Sequence, residues 1–252
     1  MTHDKPIKIG ILGCNGRMGQ TLMALVEATK GVELAGGVDQ GDDIAALIKD
    51  SDVVIDFTRP EATLAFAELT AKHGTAHVIG TTGFNEPEFA ELRERAKKTR
   101  IFWSPNMSVG VNLLNALVEK AAKLLDPAAY DIEIVEMHHK HKVDAPSGTA
   151  LFLGEGAAKG RDVSLKKKQV LSREGITGAR KEGDIGFATL RGGSVIGDHT
   201  VIFAGENDRI ELTHKASSRG IFAEGAVKAA IFVADKPNGF YTMKDLLGEF
   251  LN

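Results

Sequence analysis

The stretch IKIGILGCNGRMGQ, residues 7–20, joins a short apolar run to three glycines that stand three residues apart. Gly13, Gly16 and Gly19 allow a tight turn, and a helix that begins there presents free N–H groups and the positive end of its dipole to an anion. The spacing is G-x-x-G-x-x-G, because Asn15 stands where the commoner G-x-G-x-x-G pattern has its second glycine. The turn is therefore consistent with a phosphate-binding loop and also with an ordinary strand–turn–helix connection.

The second strand signal favours the first of these interpretations. VELAGGV (32–38) ends at Asp39, 20 residues after Gly19. An acidic side chain at this place can accept hydrogen bonds from the ribose hydroxyls of an adenosine. Strand, glycine turn, helix, strand and carboxylate in this order predict a nicotinamide-dinucleotide site.

The charges around the second strand end bear on which dinucleotide binds. Asp39, Asp42 and Asp43 would repel a 2′-phosphate, and Gln40 adds no charge to hold one. Arg17 could compensate in part. The sequence therefore favours NADH, with NADPH tolerated.

Strand and helix signals alternate through the first hundred residues. Strand-like apolar runs and helical spacing follow one another at 44–50, 53–57, 61–74, 76–80, 86–98 and 101–104. Such alternation predicts βαβ units and a parallel sheet, whose ligands bind beyond the carboxyl ends of the strands. Three loops are expected at that edge: Thr58-Arg59-Pro60, Gly80-Thr81-Thr82 and Ser104-Pro105-Asn106-Met107. Each is either part of the cofactor site or an ordinary strand-end turn.

The pattern changes after Ser104. A helix is predicted at 111–125, strands at 131–139 and 186–193, and a hairpin from 201–205 and 209–216, whose strands are separated by three residues. The tail, from Ile221 to about Ala234, has helical spacing with no strand to accompany it. The prediction is an α/β protein in which a Rossmann-like parallel-sheet dinucleotide-binding domain, residues 1–108 and 219–252, carries an inserted α+β domain with a mixed sheet, residues 109–218.

Composition excludes several classes of protein. The net charge of −3 gives no general attraction to nucleic acid or to an anionic membrane. We find no apolar run near the ~18 residues of a membrane helix, and the N-terminus leads into a strand rather than a signal peptide. Cys14, the only cysteine, excludes an intrachain disulfide and favours a reducing compartment. The expectation is a cytoplasmic protein without nucleic-acid or membrane partners.

The stretch EMHHKHKVDAPSGTA (136–150) concentrates three histidines and two lysines in five consecutive residues. A metal site, a nucleic-acid contact, an exposed strand end and an anion pocket are the alternatives. His139 and His141 could share a strand face, but Glu136 or Asp144 would have to supply a third ligand, and the spacing matches no established zinc pattern. No metal site is predicted.

The helix that follows the histidines favours an anion pocket. Ser147 is a suitable N-cap, which leaves the N–H groups of Gly148 and Thr149 free beside cationic side chains, as in a receptor for carboxylate or phosphate. On a straight strand His138 and Lys142 would stand ~13 Å apart. For both to act on one small molecule, the backbone must curl after the second histidine.

Seven segments, in order, carry a family resemblance: GRMG, DFTRPEATL, VIGTTGF, NMSVGVN, EMHHKHKVDAPSGTA, GFATLRGG and HKASSR. Together they closely resemble the dihydrodipicolinate (4-hydroxy-tetrahydrodipicolinate) reductase family of the diaminopimelate–lysine pathway, over essentially the whole chain. The fifth segment is far more specific than the glycine turn.

The resemblance implies a cytoplasmic homotetramer that reduces a cyclic imine dicarboxylate with NADH or NADPH, its inserted domain binding substrate and carrying the tetramer contacts. It implies that His138 is the catalytic acid/base, that Lys142 is a second proton donor, and that His139, Gly148 and Thr149 contact the substrate carboxylates. The implied cofactor contacts are Gly13, Cys14, Asn15, Gly16, Arg17, Met18, Asp39, Gly80, Thr81, Thr82, Ser104, Pro105, Asn106 and Met107.

Two departures from the family and one rival function remain. The segment between Asp39 and Val53 looks short for the family, which leaves less of the chain near the adenosine end. Members of the family often carry arginine after the strand-two carboxylate, where this chain has Gln40, so NADH is the expected preference. The rival is a regulatory protein that senses NADH without turnover. An anion pocket in the second domain argues against it.

Overall fold

The computed structural model describes residues 5–251, with the side chains of residues 5–248. In chain order the elements are β1 (Ile7–Leu12), α1 (Arg17–Ala28), β2 (Val32–Val38), α2 (Ile44–Asp50), β3 (Val53–Asp56), α3 (Pro60–His73), β4 (Ala76–Ile79), α4 (Glu86–Arg95), β5 (Arg100–Trp103), α5 (Val109–Leu124), β6 (Asp131–His138), α6 (Gly148–Gly160), α7 (Leu165–Lys168), β7 (Gln169–Val170), β8 (Ile185–Arg191), β9 (Gly197–Ala204), β10 (Arg209–Ala216), α8 (Gly220–Val233), β11 (Gly239–Tyr241) and α9 (Met243–Leu251).

The chain divides into two compact units. The first unit contains the residues up to Val109 and from Gly220 onward, and the second unit runs from Gly110 to Arg219. Each division lies one residue beyond the boundary expected from the sequence.

The first unit is built on a parallel six-stranded sheet with the strand order β11-β5-β4-β3-β1-β2. Val53 and Ile55 of β3 belong to the core cluster that includes α1 and α8, whereas Val54 packs with Ile48 of α2. A sheet buried on both faces gives uninterrupted apolar strands, as this sequence has. Because β2 and β3 lie on opposite sides of β1, the winding reverses there, and ligands of such sheets bind beyond the carboxyl ends at that point.

The C-terminal tail corrects one prediction. The helix expected from Ile221 is present as α8, but the expectation of no accompanying strand is wrong. β11 pairs in parallel with β5 at the edge of the sheet, with Phe240 opposite Ile101, and α9 follows it. Three residues are too few to show the alternation by which a strand is recognised in a sequence.

The second unit holds a five-stranded mixed sheet with the order β10-β9-β6-β8-β7. β6 pairs in parallel with β8 and antiparallel with β9. β9 and β10 form the expected hairpin, although four residues, 205–208, separate the strands and not three. The predicted fold class, a Rossmann-like parallel sheet with a second, mixed-sheet α+β unit, is confirmed.

One face of the second sheet is covered by helices. Ile132 and Ile134 of β6 form a core cluster with Val118 of α5 and Leu153 of α6. Alternate residues of a strand share a face, so Glu136 and His138, further along β6, point to the same covered side, and both are buried. This alternation places two polar side chains at the end of an apolar core.

Candidate active site

The glycine turn of the first unit fits an anion. Gly13 has a φ of +81°, a conformation that favours glycine, and its carbonyl oxygen accepts from the N–H of Gly16 at 3.2 Å. α1 begins at Arg17 without a side-chain cap bond from Gly16, so its first amide groups are open to a ligand. A Cβ at Gly19 would lie 2.2 Å from the Gly13 oxygen, so only glycine lets the helix pack this closely. These features suit the pyrophosphate of a dinucleotide.

Asp39 lies against this turn. Its Oδ2 accepts from the backbone N–H of Asn15 at 3.1 Å, and its own N–H donates to Asp42 at 2.8 Å. The neighbouring Gln40 is exposed. The carboxylate expected to hold the adenosine ribose is therefore fixed beside the glycine turn.

Two further residues of the turn pack partly into the core. Cys14 and Met18 contact the core cluster of the first unit, whereas Arg17 is exposed. Burial first, and then the charges of Asp39 and Asp42, raise the pKa of the Cys14 thiol. The cysteine is therefore a neutral thiol at pH 7.

A buried carboxylate, Asp56, closes β3. Its Oδ1 accepts from the N–H and the hydroxyl of Thr58, at 2.8 and 2.6 Å, and its Oδ2 accepts from the hydroxyl of Thr63 at 2.6 Å. His77 Nε2 lies 3.3 Å from Oδ2, and Thr81 Oγ1 lies 3.4 Å from Oδ1. One carboxylate thus ties the loop after β3 to the loop after β4.

Asp56 is ionised although it is buried. Burial alone would raise its pKa, but the hydrogen bond and charge of His77 and the hydroxyls of Thr58 and Thr63 hold the pKa below its ordinary value. Asp56 is not among the sequence-based cofactor residues, although a signal exists: it is the one acidic residue in the apolar strand VVID.

The loop after β4 is fixed by hydrogen bonds and by close packing. The Thr81 side chain is buried and bonded to Thr63, and its carbonyl oxygen accepts from Trp103 Nε1 at 3.1 Å. Thr82 is exposed. A Cβ at Gly80 would lie 2.3 Å from the ring of Phe57, so the close approach here requires glycine.

The loop after β5 is held by its own polar groups. The Ser104 hydroxyl donates to the Asn106 carbonyl at 2.6 Å, and the Asn106 side chain accepts from the N–H of Ser108 at 2.9 Å. Pro105 is exposed, but the Met107 side chain is only 1% exposed and belongs to the core. A cofactor could meet Met107 only through its backbone.

In the second unit the backbone curls after the second histidine, as predicted. β6 ends at His138. His139 N–H donates to Val195 O at 2.7 Å, and Lys142 N–H donates back to His139 O at 3.1 Å, which closes a turn. Lys140 and His141, at the tip, are exposed.

Glu136 organises the buried part of this cluster. Its Oε2 lies 2.5 Å from His138 Nδ1, and both of its oxygens accept from the Arg191 guanidinium at 2.9 Å. Its Oε1 also accepts from the Ser147 N–H at 3.0 Å. Burial alone would raise the pKa of Glu136, but these donors, Arg191 foremost, hold it below its ordinary value. A single carboxylate therefore joins the predicted acid/base to the start of α6.

Ser147 is the N-cap of α6, as predicted. Its Oγ accepts from the Ala150 N–H at 3.1 Å and lies 3.1 Å from His199 Nε2. Gly148 is exposed, and apart from its own helix and chain neighbours no described atom lies within 4 Å of where its Cβ would be. Thr149 follows it in the same first turn. The Gly148 N–H donates to the Asp144 carboxylate, so this helix end already holds an anion of the chain itself.

Cationic and neutral side chains surround that helix start. The Lys142 ammonium lies 2.8 Å from Asp144 Oδ1, and this bond is the main reason that the pKa of Asp144 is below its ordinary value. Burial first, and then the charge of Arg219, lower the pKa of His139. Lys142 thus has a counter-ion within the chain, and His139 is a neutral ring at pH 7.

Arg191 and His199 are site residues that the sequence does not reveal. Strand pairing brings them in: Arg191 of β8 stands opposite His138, and His199 of β9 stands opposite Glu136. Burial, followed by the charge of His138, lowers the pKa of His199 to about 4. No local motif signals either residue, because both depend on the register of distant strands.

A possible metal-binding group differs from the one considered in the sequence. Glu136, His138 and His199 bring one ligand atom each within 4.8 Å of one another, whereas the pair considered there was His139 and His141. The Arg191 guanidinium, bonded to both Glu136 oxygens, places a positive charge where a cation would have to bind. The arrangement fits an ion-paired acid/base better than a metal centre.

Two family models match almost the entire chain. One, described as dihydrodipicolinate reductase, N-terminus, matches residues 7–107, and the other, dihydrodipicolinate reductase, C-terminus, matches residues 110–247. The chain belongs to the dihydrodipicolinate reductase family. The resemblance recognised in the seven sequence segments is confirmed.

Curated relatives and a solved structure agree with this family. The chain is 52% identical to 4-hydroxy-tetrahydrodipicolinate reductase of Parvibaculum lavamentivorans, over 98% of this chain and 99% of that protein. It is 48% identical to the same reductase of Rhizobium rhizogenes, over 97% and 98%. A dihydrodipicolinate reductase from a Paenisporosarcina species, solved with dipicolinate bound, has a TM-score of 0.77 at 27% identity, covering 94% of this chain and 97% of that one.

Membership of the dihydrodipicolinate reductase family defines the class of reaction. The chain is an oxidoreductase that depends on a pyridine nucleotide, and its family belongs to diaminopimelate and lysine biosynthesis. Among the helices in the described part of the chain, none is long and apolar enough to cross a membrane.

Proposed function

We propose that this chain reduces 4-hydroxy-tetrahydrodipicolinate to tetrahydrodipicolinate with NADH or NADPH. The observation that carries the proposal is the second-unit cluster, in which one buried carboxylate joins His138 to the N-terminus of α6. An acid/base beside an anion receptor suits protonation of a small carboxylate-bearing substrate. Relatives bearing the name of this activity are about half identical over nearly their full length.

The first unit would hold the cofactor. The amides from Gly13 to Met18 would bind its pyrophosphate, Asp39 its adenosine ribose, and the loops at 80–82 and 104–107 would lie by the nicotinamide. When bound, the cofactor supplies the hydride. The acidic groups beside exposed Gln40 give NADH the advantage over NADPH.

The second unit would hold the substrate. Gly148 and Thr149 lie at a helix N-terminus, where the Asp144 carboxylate already accepts from the Gly148 N–H, and His139 offers a ring nitrogen. These residues are assigned to the carboxylates of the substrate, one of which would take the place of Asp144. Lys142 would hold a carboxylate and stabilise negative charge that builds towards the ring nitrogen. A residue that stabilises charge which develops only during the reaction binds the transition state more strongly than the substrate, and this difference accelerates the reaction.

Proton delivery is assigned to His138, with Lys142 as a second donor. Addition of hydride to ring C4 of the conjugated imine leaves an electron-rich enamine, which takes a proton from His138. Overall, one hydride and one proton enter, and the 4-hydroxy group leaves as water. Glu136 stabilises the positively charged ring that gives up this proton.

The assembly would be a cytoplasmic homotetramer held through the second unit. Val135 and Met137 of β6 and Ile202 of β9 lie on the sheet face opposite the helices and are half-buried, and Leu190 beside them is 50% exposed. An apolar sheet face of this kind is suited to subunit contact. Light scattering at micromolar concentration would give four times the mass of one chain, and a monomer would overturn the assembly.

An assay with substrate generated in situ tests the proposed activity. We expect substrate-dependent oxidation of NADH, slower oxidation of NADPH, and inhibition by pyridine-2,6-dicarboxylate. Lys142→Ala should lower turnover by about 10², with Lys140→Ala, at the exposed tip, as the matched control. Binding of NADH without any substrate-dependent oxidation would overturn the proposal in favour of a sensor.

A further inference from the structure

Glu136 is saturated by donors on both of its oxygens. Oε2 faces His138 Nδ1 and Arg191 Nη1, and Oε1 faces Arg191 Nη2 and the Ser147 N–H, all within 3.0 Å. Only 1% of Glu136 is exposed. Three of these partners, the two Arg191 nitrogens and the Ser147 N–H, can only donate, and with His138 they hold the pKa of Glu136 below its ordinary value. An ionised carboxylate can only accept, so the proton shared with the imidazole is carried by His138 Nδ1.

The other ring nitrogen of His138 has a different environment. A Cβ at Gly197 of β9 would lie 2.9 Å from His138 Nε2, closer than a real Cβ contact. The His138 side chain keeps 10% of its surface exposed. The glycine therefore leaves the space into which Nε2 can bind a proton donor or acceptor.

Arg191 fixes the carboxylate in place. Its two terminal nitrogens donate to the two Glu136 oxygens. The same nitrogens also donate to the carbonyl oxygens of Leu190, at 2.7 Å, and Asp144, at 2.6 Å. A bidentate pair of this kind holds a carboxylate in one plane and offsets its buried charge. The orientation of His138 is thus set by a side chain from another strand.

The imidazole of His199, which lies next to His138, does not compete with His138 for the role of proton donor. The ring of His199 lies 5.0 Å from that of His138, edge to face, and its Nε2 is taken by the Ser147 hydroxyl. Because burial keeps His199 neutral, it adds no second cation beside His138. It supports the N-cap of α6 instead.

We propose that Glu136 is the positioning residue of the reaction, holding His138 in the Nδ1–H form so that Nε2 is the atom that gives and takes the proton. Arg191 locks Glu136, and Gly197 keeps Nε2 open. This inference rests on the proposed function for its kinetic consequence only, since the tautomer is a property of the protein by itself.

Nitrogen NMR of the full-length protein, with ring-labelled histidine, tests the tautomer directly. The signal that disappears in His138→Gln identifies the ring, and we expect its neutral form to carry the proton on Nδ1. Glu136→Gln should convert this ring to a mixture of tautomers. A wild-type His138 protonated on Nε2 alone in its neutral form would overturn the inference, even if the enzyme is fully active.

Kinetics test the consequence for turnover. Glu136→Gln should lower kcat by roughly 10-fold to 10⁴-fold, the range seen when the carboxylate partner of a working histidine is lost, with KM for substrate and the affinity for NADH nearly unchanged. The matched control is Glu133→Gln. Glu133 lies on the same strand, and both of its oxygens accept from the guanidinium of Arg173. It has no imidazole partner among the described residues. Equal kcat in Glu136→Gln and Glu133→Gln would overturn the positioning role while leaving the proposed reaction intact.

Gly197→Ala provides a second route that leaves the Glu136 network in place. The added methyl group should lower kcat about 10-fold or more by crowding Nε2, while the Nδ1–H signal of His138 persists. A folded Gly197→Ala variant with normal kcat would contradict the assignment of Nε2. This variant keeps the inference testable if Glu136→Gln fails to fold.

Discussion

The two units each contain a buried carboxylate beside an imidazole, and the two pairs are built differently. In the first unit Asp56 and His77 are both 0% exposed, 3.3 Å apart, and the remaining donors to the carboxylate are threonines. In the second unit Glu136 and His138 are 2.5 Å apart, an arginine shares the carboxylate, and part of the ring reaches the surface.

The two pairs differ in the surroundings of the ring nitrogen that does not face the carboxylate. His77 Nδ1 is buried and has no hydrogen-bond partner among the described residues, so this ring can exchange no proton with a ligand. His138 Nε2 faces a glycine, and 10% of the His138 side chain is exposed. The same two functional groups thus form an anchor beneath two loops in one unit and the proposed acid/base in the other.

The largest difference between the two pairs is expected when each histidine is replaced by glutamine. His138→Gln should lower kcat by about 10² or more, because glutamine cannot supply the proton, with NADH affinity retained. His77→Gln should leave kcat within a few-fold while lowering the melting temperature, because it removes only a buried hydrogen bond. Steady-state kinetics, fluorescence titration with NADH and thermal melts distinguish the two; similar losses of kcat would show that the pairs are not different in kind.

Removing the buried anion of the first unit should cost stability. Asp56→Asn leaves the hydroxyls of Thr58 and Thr63 and the ring of His77 imperfectly paired, so the free energy of unfolding should fall by roughly 3–5 kcal/mol. Urea unfolding at pH 7 measures this. Asp52→Asn, at an exposed carboxylate that accepts one backbone N–H from Lys8, is the control and should cost about 1 kcal/mol; equal losses would refute the anchor.

His199 should make the second unit sensitive to acid. Its folded pKa is about 4, whereas the unfolded chain takes up that proton near 6.5. The unfolded state therefore binds more protons between these values, and stability is lost as the pH falls from 6.5 to 4, by an amount of the order of 2–3 kcal/mol. Unfolding free energies across this range should show a shallower slope in His199→Asn than in the parent chain, and an unchanged slope would exclude His199 as the cause.

The smallest effect is expected at the surface of the first unit. The site in the second unit contains Lys142 and Arg191. The edge of the first unit instead carries Asp39, Asp42 and Asp43 around exposed Gln40. Gln40→Arg should raise the ratio of NADPH to NADH activity by roughly 3-fold to 10-fold, through one charge-assisted hydrogen bond to the 2′-phosphate. The gain should shrink at high ionic strength; an unaltered ratio at low salt would remove Gln40 from the specificity argument.

Local signals account for what the sequence could predict. Apolar runs and helical spacing were sufficient for the parallel sheet, and the Ser-Gly-Thr start of α6 was sufficient for its N-cap, because both depend on neighbours along the chain. β11 was missed because three residues, Gly239–Tyr241, carry too little pattern.

The remainder of the site depends on pairing between distant strands. Arg191 and His199 reach Glu136 and His138 only through the register of β8 and β9 with β6. His77 is 0% exposed and His138 is 8% exposed. This difference in burial is likewise a result of packing, and neither residue type nor spacing along the chain encodes it.

If Lys142 binds substrate as proposed, its ion pair with Asp144 makes substrate binding an exchange of carboxylates. Lys142 already has a carboxylate at 2.8 Å, so a dicarboxylate that takes this ammonium must first release Asp144 to water. The affinity would then reflect the difference between two similar bonds, and not the full strength of a new ion pair. The product carries the same two carboxylates and would leave by the reverse exchange, in which Asp144 pairs with Lys142 again.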